Sequence, residues 1–256
     1  MQQLRTFQLD GRTALVTGAG RGLGEGMAHG LAQAGAEVIL VSRTALEVEK
    51  VSEDIVAAGG RARSIALDVT DDAAVQSVFA ELPSLDILVN NAGTNIPQDF
   101  VDVDVEALDK LLQLNVRAAF VVAQAAVRRM LTDADRASRG GAVVNITSQL
   151  GRVAMHGRGV YTMTKHALEG LTKAMAIELA ADNIRVNSVG PTWVDTPMTR
   201  PALENPALRQ DVLNSIPMGH LAQIEDVVGA VIFLSSPAAR MITGTSLVVD
   251  GGWTAR

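Results

Sequence analysis

The chain has 256 residues, 48% hydrophobic and 20% charged, a balance that excludes intrinsic disorder and suits one α/β domain spanning 1–256. A net charge of −6 without a basic run excludes a nucleic-acid footprint, and the absence of cysteine excludes disulfides and thiolate metal sites. No apolar run is long enough to span a bilayer and MQQLRTFQLDGR has no apolar signal core, so the expectation is a cytoplasmic protein with no membrane partner.

In chain order, TALVT (13–17) reads as a first strand, followed by a glycine-rich turn and an Ala-rich helix ending near Gly35. EVILVS (37–42) reads as a second strand, and the helix after it stops at Gly59-Gly60. RSIALDV (63–69), LDILVN (85–90), GAVVNIT (141–147), IRVNSV (184–189) and SLVVD (246–250) supply five more strands. Helical periodicity marks 72–82, 104–112, 115–131, 161–181 and 225–235. Continuous apolar strands separated by helices predict a doubly wound Rossmann-type α/β fold, a seven-stranded parallel sheet with helices on both faces. The Pro-rich TPMTRPALENP (196–206) reads as part of a mobile segment over a site, around 192–220.

The turn TGAGRGLG (17–24) has the spacing G-x-x-x-G-x-G, with Gly18, Gly22 and Gly24, and matches neither G-x-G-x-x-G nor a P-loop. Missing side chains let backbone approach a pyrophosphate at a helix N-terminus, which makes Gly18, Arg21, Gly22, Leu23 and Gly24 candidate dinucleotide contacts. A glycine turn that merely permits tight strand–helix packing is the competing reading. The second strand ends at Ser42-Arg43, where an NAD site usually carries a carboxylate. Guanidinium groups at Arg21 and Arg43 suit a 2′-phosphate, so NADP(H) is favoured and NAD(H) remains possible.

Tyr161 is the only tyrosine, and Lys165 stands four residues on, on the same helical face. Two unit charges about 4 Å apart interact by about 4 kcal/mol at an effective dielectric of 20. The expectation is therefore a phenol pulled down toward neutrality by its ammonium neighbour, able to trade a proton with an alcohol or carbonyl.

TGAGRGLG, Asp68 in LDVT, NNAG (90–93), Asn115, Ser148 and YTMTK (161–165) occur in order over nearly the whole chain, which resembles the short-chain dehydrogenase/reductase family. The resemblance implies a nicotinamide cofactor and a catalytic set of Ser148, Tyr161, Lys165 and Asn115. In that set Ser148 holds the substrate oxygen, Lys165 also binds the nicotinamide ribose, and Asn115 holds a water in a relay to Lys165. A satisfied core asparagine is the other reading of Asn115. The resemblance also makes Asp68 and Val69 adenine contacts. Asn90 would stiffen the sheet beside Asn91, Ala92 and Gly93 along the cofactor, with Pro191, Val194 and Thr196 near the carboxamide. Many relatives have Pro-Gly where this chain has Pro191-Thr192, which puts the shape of that loop in doubt.

Loops beyond the strand ends offer Asn95, Gln149, Arg152, His156, Arg158 and Trp193 to a substrate, a set suited to a small oxygenated or acidic carbonyl or alcohol. Within the family the chain looks like gluconate 5-dehydrogenase-type members and like 3-oxoacyl-[acyl-carrier-protein] reductases. A dinucleotide-sensing protein without catalysis is the rival from another class, and it would be expected to have lost one of the four catalytic residues. His29, His166 and His220 have no spacing that suggests a metal. Broad apolar surfaces on 115–131 and 161–181, together with the resemblance, predict a homotetramer, with the C-terminal VDGGWTAR at a second interface.

Overall fold

A computed structural model of the chain describes residues 6–255; residues 1–5 and Arg256, which the expected span 1–256 includes, lie outside the described residues. The elements run β1 (Thr13–Thr17), α1 (Gly22–Gln33), β2 (Glu37–Ser42), α2 (Ala45–Ala57), β3 (Arg61–Ala66), α3 (Asp72–Glu81) and β4 (Ile87–Asn90). They continue through α4 (Val105–Leu112), a π-helical turn (Gln113–Ala118), α5 (Ala119–Leu131), the short α6 (Arg136–Arg139), β5 (Gly141–Ile146) and α7 (Gly159–Leu179). The chain then forms β6 (Ile184–Pro191), α8 (Arg200–Leu203), α9 (Pro206–Ser215), α10 (Ile224–Ser235) and β7 (Ser246–Val249).

All six strand pairings are parallel, in the order β3-β2-β1-β4-β5-β6-β7. Side chains alternate between faces along each strand. Ala14, Val16, Val38, Leu40, Ile87 and Val89 pack one core with α1, α2 and α10, through Met27, Leu31, Val51, Ile55, Val227 and Val231. Leu15, Ile39, Val41, Leu88 and Val143 face the other core, with Phe79, Val122, Ala126, Met130 and Ala176 of α3, α5 and α7. Both faces are therefore apolar, which is why these strands carry continuous Val/Ile/Leu runs.

Three boundaries differ from the sequence reading. β3 ends at Ala66, so Asp68 and Val69 lie in the loop beyond it. The predicted helices 104–112 and 115–131 are not separate, because the π-helical turn joins them and carries Asn115. Within the Pro-rich stretch two short helices form, with Asn205 capping α9 by accepting from the N–H groups of Ala207 and Leu208.

At the N-terminal end of β4, Asp86 is 1% exposed and binds three elements together. Its carboxylate accepts from Thr13 N at 2.9 Å, Arg139 Nη2 at 2.7 Å and Arg12 Nη1 at 3.3 Å, with buried Arg136 at 3.6 Å. This cluster secures the end of the sheet away from the site. The strand order reverses between β1 and β4, and a cleft opens at the C-terminal ends there, where ligands bind on such sheets.

Candidate active site

The cleft has a volume of about 850 Å³. It is lined at one end by Arg21, Ser42, Arg43 and Asp68, and at the other by Ser148, Tyr161 and Lys165. The size falls in the range of pockets that enclose small ligands. Of the residues expected along a cofactor, Gly18, Arg21, Gly22, Leu23, Gly24, Ser42, Arg43, Asp68, Val69, Asn91, Ala92, Gly93, Tyr161, Lys165, Pro191, Val194 and Thr196 line it, while Asn90 is buried behind it.

The floor is built from the glycine turn and the segment after β4. Gly18 and Gly22 have φ of +64° and +60°, conformations that favour glycine. A Cβ on Gly24 would stand 2.1 Å from the Gly18 carbonyl oxygen, so only glycine allows this turn to close on α1. Thr17 Oγ1 accepts from the N–H groups of Asn91 and Ala92 at 2.9 and 3.0 Å, while Asn91 Nδ2 donates to Thr17 O at 2.8 Å. Asn90 Nδ2 donates to Ala119 O at 2.8 Å and to Asn145 Oδ1 at 3.3 Å, tying the sheet to α5. The cleft thus presents side-chain-free backbone and the first turn of α1, whose N–H groups at Leu23 and Gly24 have no intrahelical acceptor. These features fit the pyrophosphate of a dinucleotide.

At the Arg43 end the structure adds a carboxylate that reading only the strand terminus missed. Glu47, one turn into α2, lines the cleft and lies 3.9 Å from Arg21 Nη1, with Arg21 exposed. Asp68 accepts from the backbone N–H and hydroxyl of Thr70 at 2.9 and 2.7 Å. These two bonds, with Arg43 nearby, hold its carboxyl below the usual carboxylate value despite partial burial.

At the other end, Ser148 is buried just beyond β5, and its Oγ accepts from Leu150 N at 3.1 Å. With the oxygen so engaged, the hydroxyl proton is what Ser148 turns toward Tyr161. Tyr161 is half-buried in the first turn of α7. Lys165, 5% exposed, donates through Nζ to Ile146 O at 2.9 Å and lies 5.5 Å from the Tyr161 ring centroid.

The expected acidification of the phenol by Lys165 is not what the structure shows. Loss of solvent pushes the Tyr161 hydroxyl up to about 12, against a downward pull from the Ser148 hydrogen bond and the Arg158 guanidinium. Lys165 meets the π face, and the cation that does lower the phenol is Arg158, three residues earlier. Burial brings the Lys165 ammonium down to about 8, opposed by Glu169 one turn on. Glu169 is itself buried and accepts from the hydroxyls of Thr147 at 2.6 Å, Ser188 at 2.8 Å and Ser246 at 2.9 Å. The sequence signal for Glu169 was available, as an acidic residue four positions after the lysine on an otherwise packed helix face.

Asn115 is 1% exposed and does not line the cleft. Its Oδ1 accepts from Thr94 N at 2.9 Å, and its Nδ2 donates to Thr94 O at 2.8 Å and Thr164 Oγ1 at 3.2 Å. The side chain therefore clamps the loop after β4 to α7, and its hydrogen bonds go to Thr94 and Thr164. Thr192 has an ordinary backbone, so the departure from Pro-Gly is accommodated without a left-handed residue, and its N–H donates to Val249 O at 3.0 Å.

The candidate substrate residues separate into two groups. Arg152 is exposed and donates to Ser246 O at 2.6 Å. His156, its side chain 90% exposed, lies 3.6 Å from Asp99. None of the six candidates lines the cleft itself; the other four flank its Ser148–Tyr161 end, where their chain neighbours Thr94, Ser148 and Thr192 line it. Gln149 is buried beside Ser148, and Arg158 is buried with its guanidinium 5.9 Å from the Trp193 ring centroid. Asn95 belongs to the segment that leads to Gln98, which bridges Arg158 in parallel register. Among the described residues no group of His, Asp and Glu side chains is placed to hold a metal, and no helix is long and apolar enough to cross a membrane.

A family model described as enoyl-(acyl carrier protein) reductase matches residues 18–254. L-xylulose reductase of Mus musculus is 40% identical over 249 residues, covering 96% of this chain and 98% of that protein. The 2-dehydro-3-deoxy-D-gluconate 5-dehydrogenase of Bacillus subtilis is 38% identical over 255 residues, 98% of this chain and 97% of that protein. Among solved structures, a gluconate 5-dehydrogenase from Burkholderia cenocepacia in complex with NADP and tartrate aligns with a TM-score of 0.94 and 32% identity, over 99% of each chain.

Proposed function

The chain belongs to the short-chain dehydrogenase/reductase family of oxidoreductases, and on that premise we propose that it interconverts a secondary alcohol and a ketone with NADP(H), on a small polar, sugar-acid-like substrate. The observation that carries this reading is one continuous cleft with Ser148, Tyr161 and Lys165 at one end and the glycine turn and two arginines at the other. A nicotinamide bound there supplies or accepts the hydride.

The chain's own groups do the rest. Ser148 donates to the substrate oxygen and stabilises the negative charge that grows on it. Tyr161 gives or takes the proton at that oxygen. Lys165 holds positive charge beside the phenol, and Asn115 positions α7 through Thr164. Two guanidiniums, Arg21 and Arg43, line the ribose end together with two carboxylates, Glu47 and Asp68, and the paired, charge-assisted donors of the arginines support a 2′-phosphate. The solved relative that holds NADP and tartrate supports both the cofactor and a polar, acidic substrate.

The same reading makes 192–220 the segment that moves over the substrate, which its separate small core of Leu203, Val212 and Ile216 supports. It also makes the protein a cytoplasmic homotetramer, supported by exposed Phe120, Leu131, Met163 and Ile177 on α5 and α7. The test is enzyme-dependent loss of NADPH absorbance with ketoaldonates, ketoses and 3-oxoacyl thioesters, repeated with NADH. Turnover of a ketoaldonate with an NADPH preference is the expected result. Turnover of the thioester alone would move the chain to the acyl class, and silence with all three would end the proposal.

A further inference from the structure

Arg158 is a buried cation that the protein itself leaves without a counter-charge. It is 8% exposed, and among the described residues no carboxylate lies within ion-pair distance of it. Burial lowers its pKa, and the opposing charge acting on it is the phenol of Tyr161. A guanidinium removed from water without an ionic partner is costly, and proteins keep such a group where a ligand completes it.

The surroundings specify the ligand. The guanidinium lies over the Trp193 ring, 5.9 Å from its centroid and within cation–π range, and its five N–H donors suit a planar, bidentate acceptor. Arg158 is the N-terminal flanking residue of α7, so the first turn of that helix adds to the positive field. Among the described residues, three of the six buried side-chain atoms without a hydrogen-bond partner belong to loops at this end of the sheet: Asn95 Oδ1, Gln149 Oε1 and Thr192 Oγ1. Gln149 adjoins Ser148, Thr192 adjoins Trp193, and the Asn95 loop is tied to Arg158 by the Gln98–Gly157 hydrogen bond at 3.1 Å. Unsatisfied polar atoms thus lie on the loops that carry Ser148, Trp193 and the segment paired with Arg158, where a polyhydroxylated chain would satisfy them.

Resting on the oxidoreductase reading above, we infer that Arg158, stacked on Trp193, anchors the carboxylate of a hydroxy or keto acid substrate and so sets the site against neutral ketoses. The carboxylate is held at Arg158 while the carbonyl of the same molecule reaches Ser148 and Tyr161. Arg152 and His156, which face solvent, take no part.

The test is calorimetric binding of gluconate, and of its uncharged counterpart sorbitol, to the protein saturated with NADP⁺, for wild type, Arg158→Gln and Arg158→Lys. Wild type should bind gluconate at least tenfold more tightly than sorbitol. Arg158→Gln should remove that preference, and Arg158→Lys should restore part of it. NADPH affinity should stay within threefold in both variants, which reports an intact fold. Where a ketoaldonate is turned over, Arg158→Gln should lower kcat/KM for it at least tenfold more than for a ketose of similar size, whose smaller loss reports the pull of Arg158 on Tyr161. Equal binding of gluconate and sorbitol by wild type, or an equal loss for both in Arg158→Gln, would overturn the anchor. Selective gluconate binding without turnover would leave the anchor standing and remove the proposed reaction instead.

Discussion

The Lys165 ammonium lies over the face of the Tyr161 ring, 5.5 Å from its centroid, and spends a hydrogen bond on the carbonyl of Ile146. The pair is thus a cation against a π face, with the phenol pushed up to about 12 by burial. The phenol is therefore protonated at pH 7, and its proton can still pass to a developing alkoxide, which is a much stronger base. Tyr161 is then the acid of the proposed carbonyl reduction.

Removing the phenol hydroxyl tests this directly. Tyr161→Phe should lower turnover by about 10²–10⁴-fold, the usual contribution of a positioned proton donor. The ring, and with it the contact to Lys165, remains, so NADPH affinity measured by fluorescence titration should change less than threefold. Turnover within tenfold of wild type would assign the proton to another group.

Lys165 should trade stability for activity. Its folded value of about 8 lies below the ordinary 10.5, so the folded chain binds fewer protons than the unfolded chain between those limits. Stability therefore rises as pH goes from about 8 to 10.5, and below about 8 the buried ammonium costs about 3 kcal/mol. In Lys165→Met that cost disappears, while loss of the bond to Ile146 returns roughly 1 kcal/mol. The variant should be inactive yet about 2 kcal/mol more stable at pH 7, melting a few degrees higher. Its advantage should shrink as pH approaches 10, and a variant less stable than wild type at pH 7 would contradict the burial argument.

Asp86 carries the opposite sign. Burial alone would raise its carboxyl, but Arg139, Thr13 N and Arg12 outweigh it and hold the value below 3.8. Its contribution is present above 3.8 and is lost as pH falls through the folded value. Asp86→Asn leaves buried Arg136 and its neighbours without their counter-charge, which should cost about 3–5 kcal/mol in urea unfolding at pH 7. The gap to wild type should narrow below pH 3.8, as first the unfolded and then the folded wild-type carboxyl is neutralised. A gap that stays constant into acid would show that charge is not what Asp86 contributes.

Gly24 separates the cleft from the rest of the fold. A methyl group there meets the Gly18 carbonyl oxygen of the turn at 2.1 Å and Asn91 Nδ2 of the segment after β4 at 2.8 Å. Gly24→Ala should weaken NADPH binding by at least tenfold. Gly229→Ala in α10 meets nothing within 4 Å and should leave binding unchanged while stabilising the helix by roughly 0.5–1 kcal/mol. Equal effects of the two substitutions would mean that the glycine turn is not the cofactor cradle.

What could be read in advance divides along physical lines. The sheet was legible because a strand buried on both faces must be apolar throughout, as in TALVT and EVILVS, and nothing else in the chain writes that pattern. Residues of the cleft wall came with local motifs, so the turn at 17–24 and the pair Tyr161 and Lys165 were visible as spacings. Glu47, Glu169 and Arg158 were harder, since their meaning depends on what the fold brings near them: Glu47 on Arg21, Glu169 on three hydroxyls, Arg158 on Trp193. Direction was the other failure. Sequence spacing placed Lys165 beside Tyr161 but did not say that it meets the ring face while Arg158 pulls on the phenol.

Glu169 offers the last test, because it is the group that opposes the fall in the Lys165 pKa. In Glu169→Gln the side-chain oxygen still accepts a hydrogen bond, and the hydroxyls of Thr147, Ser188 and Ser246 can rotate to accept from the new amide, so the packing of α7 against β5 to β7 is kept. Only the charge is removed. Without it the Lys165 ammonium is less favoured and loses its proton at a lower pH than the wild-type value of about 8. If protonated Lys165 is the working form, the alkaline limb of kcat should move to lower pH in Glu169→Gln, with a larger loss at pH 9 than at pH 7. NADPH affinity at pH 7 should stay within threefold of wild type. An unmoved limb would mean either that the lysine works uncharged or that the carboxylate serves only to hold the three strands, and a loss equal at both pH values would choose the second.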